Sequence, residues 1–355
     1  MAQNTFFSDI HKELDAKMVP CGKWNLPLFY PGGSVAEHRN TRSGASLFDR
    51  SMTGCFQIAG KDCAGILDRI FLRSVKDMAL GECRKNALLD ENASVVLIFT
   101  LCRMQDEDFM LIGESGIADK QWEYLRKAVP EALTVRELGT ALAQLALTGS
   151  KSADILGAAG VADIPEKGMR QIVTLKDDEG DEFRCIAIHG EFAGETSFHI
   201  CCNAQFALEV YGALYSAGAL PAGIGAWESL RIESGILSPP GEVDGDHSPW
   251  DCGLDEWVDM SREFTGKTAL AGMEKRFQLC LVKLDRHPAS PGTVVELPGN
   301  IAAGVVTSSA FCPVAGCAQA ICRMDADCGV KAGDKAACAV NGKVVVGEAV
   351  RKLYC

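Results

Sequence analysis

Apolar positions along this chain recur with two periods, and each period predicts a kind of element. Ile66, Leu67, Ile70 and Phe71 follow Asp62 at helical spacing, which predicts a helix capped by that aspartate and buried along one face. Trp122, Leu125 and Val129 repeat the pattern, as do Phe206, Val210 and Leu214. Residues 227–232 read as a further helix ending near Gly235. Residues 95–99 are a continuous apolar run, the signature of a strand buried on both faces. Residues 109–112 follow it across the polar stretch 105–108, which predicts a hairpin. Residues 183–189 and 197–202 read as two more strands around a turn centred on Gly194. Residues 238–251 are rich in Pro, Gly and Asp and read as a long loop at the surface or beside an active site. From Arg276 onward short strand signals dominate, and Asn341-Gly342 between two apolar runs is a two-residue hairpin signal. Helix and strand mixed first and strands alone afterwards predict an α+β protein, divided into residues 1–275 and 276–355.

Composition narrows the classes of function. At 355 residues the chain is long for one core and is expected to form two or three packed domains. Lys plus Arg is 35 and Asp plus Glu is 47, a net charge of −12, and no basic stripe carries interleaved aromatics. Nucleic acid and membrane are therefore not expected as partners. No apolar run nears the roughly 20 residues of a bilayer span. Residues 1–16 show no basic-then-apolar leader, so a cytoplasmic protein is expected. The 16 cysteines include no Cys-x-x-Cys pair, and Cys312, Cys317 and Cys322 recur at a spacing that fits no standard metal site. Small buried thiols in a reducing compartment, and no metal, are the expectation. Cys201 and Cys202 are adjacent on a predicted strand and should face opposite ways.

Six segments, among them Gly225-Ala226-Trp227-Glu228-Ser229-Leu230-Arg231-Ile232-Glu233-Ser234-Gly235 and Glu263-Phe264-Thr265-Gly266-Lys267, resemble, in order, motifs of the glycine-cleavage T-protein (aminomethyltransferase) family. Glu37-His38-Arg39 with Gly44-Ala45-Ser46-Leu47-Phe48-Asp49-Arg50-Ser51 resembles its first motif. Ala146-Leu147-Thr148-Gly149-Ser150-Lys151-Ser152 resembles its ALQGP turn, and Gly194-Glu195 with Phe198 and Ile200 its GYTGEDGFEI motif. Residues 225–235 resemble GARDSLRLEAG, and Glu263-Phe264-Thr265-Gly266-Lys267 resembles FIGK. Residues 301–309 with Cys312-Pro313 resemble the family's late VTSG segment. The resemblance implies a fold of two intertwined, ferredoxin-like α+β units plus a C-terminal β-barrel around a central channel. It also implies tetrahydrofolate in that channel and transfer of a one-carbon unit to it. The donor would be a small molecule or a group on a lipoylated or other carrier protein.

Carried over residue by residue, the same resemblance shows the family's polar contacts replaced. Residues 92–109 align without a gap to its GGxxDDL strand, with Leu97 and Ile98 at the two acids. A carboxylate there would orient folate and stabilise positive charge developing at nitrogen. Leucine does neither, so no catalytic residue is identified and Leu97 reads as strand core. His199 stands at the second acid; it faces away from Phe198 and Ile200, and a partly exposed strand histidine is the plain alternative. Trp227 replaces the arginine of ARD and trades a charge for a stacking face, though a core tryptophan would look the same. Phe192 keeps the ring of the GYTGE tyrosine without its hydroxyl. Glu114, at the asparagine of the family's VNA segment, and His199 are the candidate substitutes for the missing acid. Arg231 and Glu233 match family positions that either support the helix or touch ligand. The implied folate-binding set is Phe192, Glu195, His199, Trp227, Glu114 and Tyr354.

Two functions are expected from this. One is a divergent tetrahydrofolate-dependent one-carbon transferase, moving a methylene or methyl group. The alternative is a non-catalytic or differently liganded relative that takes another flat molecule, or no folate, in the channel. A plain aminomethyltransferase is opposed by Leu97.

Overall fold

The computed structural model describes residues 2–113, 118–299, 301–340 and 342–353. It is α+β and divides into two compact units whose segments interleave along the chain. The first comprises residues 1–65, 76–85 and 99–227, and the second residues 66–75, 86–98 and 228–355. No described helix is long and apolar enough to cross a membrane.

The first unit is built on a six-stranded sheet in the order Arg170–Lys176, Glu182–Phe192, Glu195–Asn203, Leu142–Thr148, Ser46–Asp49, Leu220–Pro221. Strand alternation sorts its residues. Leu145 and Leu147 with Phe198, Ile200 and Cys202 turn to one face and pack with Leu156, Val210 and Leu214 of the helices Ser152–Ala158 and Ala207–Ser216. Ala146 and His199 turn to the other face, paired across the strands, and Cys201 lies on that side too. Cys201 and Cys202 thus belong to different cores, as their adjacency predicts. The two-residue connection Ala193-Gly194 has φ of 57° and 81° between the paired residues Phe192 and Glu195. Positive φ at both central positions suits the right-handed twist of the strands it joins. The opposing wall belongs to a five-stranded sheet, Cys83–Leu89, Val95–Gln105, Asp108–Gly113, Cys55–Ala59, Thr134–Glu137. Cys55, Cys102, Met110 and Ile112 from it meet Ile188 and Cys201 of the first sheet.

The second unit holds a closed six-stranded barrel in the order Phe277–Lys283, Cys317–Asp325, Ile301–Cys312, Val294–Leu297, Lys335–Val340, Lys343–Lys352. Cys280, Val282, Ala320, Cys322 and Met324 form one core, and the alternate residues Leu279, Leu281 and Ile321 join another with Leu89, Val95, Ile98 and Ile232. Leu97 is 1% exposed in this unit, so it is core, as its apolar strand context suggests.

One expected element is shorter than its apolar pattern. The helix after Asp62 spans only Cys63–Asp68, and Ile70 and Phe71 lie beyond it. The Asp68 carboxylate accepts from the Ser74 hydroxyl (2.9 Å) and the Val75 N–H (2.8 Å), folding the chain back. Phe71 instead bridges to Leu88. The apolar run is buried by a turn, which periodicity alone reads as helix.

Candidate functional site

A cavity of about 270 Å3 lies in the first unit. Its wall is made of strand residues, with Arg50, Thr53, Lys167, Gly168 and Trp227 contributed from outside the strands. Arg50 directly follows the strand Ser46–Asp49, and its N–H donates to the Gln144 carbonyl (3.0 Å). The preceding Asp49 is fully buried and accepts from the Ser51 N–H (2.8 Å) and from His11 Nε2 (3.0 Å). Burial alone would raise its pKa, but the hydrogen bonds from His11 and Ser51 hold it below the usual carboxylate range. His11 Nδ1 is in turn hydrogen-bonded to the Tyr30 hydroxyl (2.8 Å). The turn that carries Arg50 is thus fixed from beneath by a buried Asp–His–Tyr chain.

Trp227 is covered by its neighbours. Its ring stacks on Phe192 with centroids 3.6 Å apart and planes at 17°. The Arg50 guanidinium lies 3.9 Å from the indole centroid, and Phe48 meets the ring edge-on at 5.1 Å. A flat molecule between Phe192 and Trp227 would need about 7 Å, two carbon contacts of roughly 3.5 Å each. The two rings therefore fill their own gap.

His199 lines the cavity beside them. Its Nε2 is 3.0 Å from Gln144 Oε1, and Gln144 Nε2 donates to the Thr53 carbonyl (2.9 Å). With the amide nitrogen spent on Thr53, Oε1 must accept, so His199 carries its proton on Nε2 and keeps Nδ1 as an acceptor. Burial, and then the positive charge of Arg50, push its pKa from 6.5 to about 3. The ring is neutral under ordinary conditions and offers no charge.

The structure therefore brings Phe192, His199 and Trp227 of the expected set to one cavity. Glu195 is elsewhere: its carboxylate takes the Arg42 guanidinium at 2.9 Å, and Arg42 also donates to the Ala193 carbonyl, closing the hairpin. Glu114 and Tyr354 lie outside the described residues. Arg50, Gln144, Thr53, Lys85 and Thr100 were not singled out by sequence, although all but Gln144 line the cavity and Gln144 orients His199. One signal was present: Gln144 is the lone strongly polar residue in the apolar strand Leu142–Thr148. Arg50, Lys85 and Lys167 bring cations to the wall, and Lys167 pairs there with Glu191.

Comparison with known proteins agrees with this architecture. The family profile described as the GCVT N-terminal domain matches residues 7–262. An aminomethyltransferase of Methylococcus capsulatus is 31% identical over 336 residues, covering 88% of this chain and 87% of that protein. An aminomethyltransferase of Symbiobacterium thermophilum is 28% identical, covering 86% of this chain and 84% of its own length. The crystal structure of glycine cleavage system aminomethyltransferase T from Bartonella henselae superposes with a TM-score of 0.89 at 23% identity, over 99% of this chain and 97% of that one, a likeness of fold.

Proposed function

We propose a function from one premise: the chain belongs to the GCVT family, the family of the aminomethyltransferases it resembles. The function is one-carbon transfer to or from a reduced folate, whose head group enters the cavity of the first unit. The observation that carries this is the Arg50 guanidinium 3.9 Å from the Trp227 ring. The resemblance aligns Trp227 with the family's arginine, and Arg50, just after the strand Ser46–Asp49, brings a cation against that ring. A planar guanidinium is suited to carboxylate or carbonyl oxygens of a ligand.

The fit to folate is partial. About 270 Å3 falls just under the roughly 300–1,000 Å3 that encloses a drug-sized molecule, so the head group would be buried and the glutamyl tail left outside. Arg50 and Lys85 would meet ligand oxygens, and His199 Nδ1 would accept one ring N–H. A bound reduced folate supplies the nitrogen that takes up the one-carbon unit. The protein's own part is to hold that ring, exclude water with Phe192 and Trp227, and keep Arg50 aimed by the Asp49 anchor. No described carboxylate reaches into the cavity except Glu191, which Lys167 neutralises. The chemistry would rest on positioning more than on charge stabilisation, and would be slow. A lipoylated carrier, or a small methylated amine, is the donor class consistent with the family.

A second reading is favoured by the closed Phe192–Trp227 stack: a relative that binds a smaller anion and transfers nothing. The two are separated by incubating the protein with tetrahydrofolate and either an aminomethylated lipoyl carrier or a methylated amine. Appearance of methylene- or methyl-folate, lost in Arg50→Met, supports the first reading. No folate product with either donor class removes it.

A further inference from the structure

Cysteines in this chain repeatedly face one another across strands. Cys185 lies opposite Cys202, Cys280 opposite Cys322, and Cys312 opposite Cys317. A fourth pair lies at the cavity. On the neighbouring strands Cys83–Leu89 and Val95–Gln105, the Arg103 N–H donates to the Glu82 carbonyl (2.9 Å) and the Gly81 N–H to the Arg103 carbonyl (2.9 Å). The next step along this ladder sets Cys83 against Cys102, and two steps further sets Lys85 against Thr100. Lys85 and Thr100 do share the cavity wall with Cys83, which agrees with that register. Cys83 packs against the cluster that holds Cys102, and its thiol donates to the Gly81 carbonyl (3.7 Å). Residues opposed in an antiparallel ladder have Cα atoms about 4.5–5.5 Å apart, inside the roughly 4.4–6.8 Å that a disulfide spans.

Access separates this pair from the others. Cys83 is half-buried and lines the cavity, while Cys102 is fully buried beneath it against Cys55, Met110 and Ile112. In the Cys185–Cys202 and Cys280–Cys322 pairs both thiols are at most 3% exposed. Cys317 is half-buried, but it stands on the barrel hairpin, and neither it nor Cys312 lines the cavity. The same wall carries the cationic residues Arg50 and Lys85, whose charge draws an anionic reagent toward it.

We propose that Cys83 and Cys102 form a redox-active dithiol, oxidised to a disulfide by a low-molecular-weight anionic disulfide that enters the cavity. The Cys83 thiolate attacks one sulfur of the small disulfide, forming a mixed disulfide and expelling one small thiolate. The Cys102 sulfur then attacks Cys83 Sγ, expels the second small thiolate and closes the protein disulfide. Two protein thiols lose two electrons, the small disulfide gains them, and the two protons leave on the two small thiols. Burial pushes the Cys102 thiol well above its ordinary range, so the second step is the slower one and the mixed disulfide at Cys83 accumulates first. This site stands whether or not the cavity takes folate.

The test uses the full-length protein in anaerobic glutathione/glutathione-disulfide buffer, with timed acid quenching, alkylation of remaining thiols and peptide mass mapping. The expected result is a glutathione adduct on Cys83 at early times, then a Cys83–Cys102 link. Both should form at least about tenfold faster than any oxidation of Cys280 or Cys322. In Cys102→Ser the adduct on Cys83 persists, and in Cys83→Ser Cys102 stays reduced. The timed quench of the unaltered protein decides the matter if either variant folds poorly. Cys83 reacting no faster than Cys280, or a Cys312–Cys317 link forming without Cys83–Cys102, overturns the proposal.

Discussion

His199 is the residue whose behaviour the cavity specifies most sharply. Its ring is held neutral, with a pKa lowered to about 3 by burial and then by Arg50, while in the unfolded chain it takes up a proton below about 6.5. The folded state is therefore favoured by this group at and above pH 6.5, and that contribution is lost as pH falls from 6.5 toward 3. Between pH 7 and pH 5 the unfolded state gains about 1.5 pH units of proton binding that the folded state lacks, a loss of about 2 kcal/mol at 1.36 kcal/mol per unit. Partial exposure of the ring to the cavity trims this to roughly 1–2 kcal/mol. His199→Gln removes the titrating ring and leaves a group that can still bond Gln144. Chemical unfolding of both proteins at pH 7 and pH 5 should show the unaltered protein losing about 1–2 kcal/mol more than the variant. NMR of the ring should show no titration of His199 down to about pH 4. A His199 signal titrating near 6.5 in the folded protein, or parallel stability losses in the two proteins, would refute the buried, Arg50-facing geometry.

Two further outcomes follow from the second unit. Leu97→Asp, which restores the family's acid in sequence, places a carboxylate at a position 1% exposed, and should cost about 3 kcal/mol or more in urea unfolding without raising one-carbon transfer. Unchanged stability would show that this strand is not core. Glu242 is fully buried and accepts from the Ser238 N–H (3.0 Å), the Arg231 guanidinium (3.2 Å) and the Ser308 hydroxyl (2.7 Å). Glu242→Gln removes one of the two carboxylates on Arg231, leaving Glu228 at 2.7 Å, and should cost about 1–3 kcal/mol, read as a lowered calorimetric transition; a transition shifted by less than a degree would mean Arg231 does not depend on this partner.

Much of the architecture was legible because alternation is a local signal. Phe198 and Ile200 against His199 assign a strand and its two faces, whereas the strand Leu142–Thr148, with the same alternation, was not singled out. The closed hairpin at Gly194 followed from turn chemistry. What stayed hidden depended on contacts between distant segments. Arg50 sits inside a motif that matches the family, so its own chemistry drew no attention, and its partner Trp227 comes from a helix far along the chain. The Phe192–Trp227 stack was equally invisible: each ring could be read as a ligand platform, and only the 3.6 Å separation shows them covering each other. The helix after Asp62 was overextended because burial by a bridge leaves the same apolar imprint as burial on a helix face. The interleaving of the two units could not be read either, since the apolar strand Val95–Gln105 runs across their division without a break in pattern.

The central claim is that Arg50 and the cavity around it hold a reduced folate. The most direct measurement is anaerobic isothermal titration of the protein with tetrahydrofolate, repeated with Arg50→Met after its thermal unfolding has been matched to the unaltered protein. The account predicts saturable one-site binding that weakens about tenfold or more in the variant, a loss of about 1.4 kcal/mol. No saturation at sub-millimolar folate, or equal affinity of the two proteins, would contradict it.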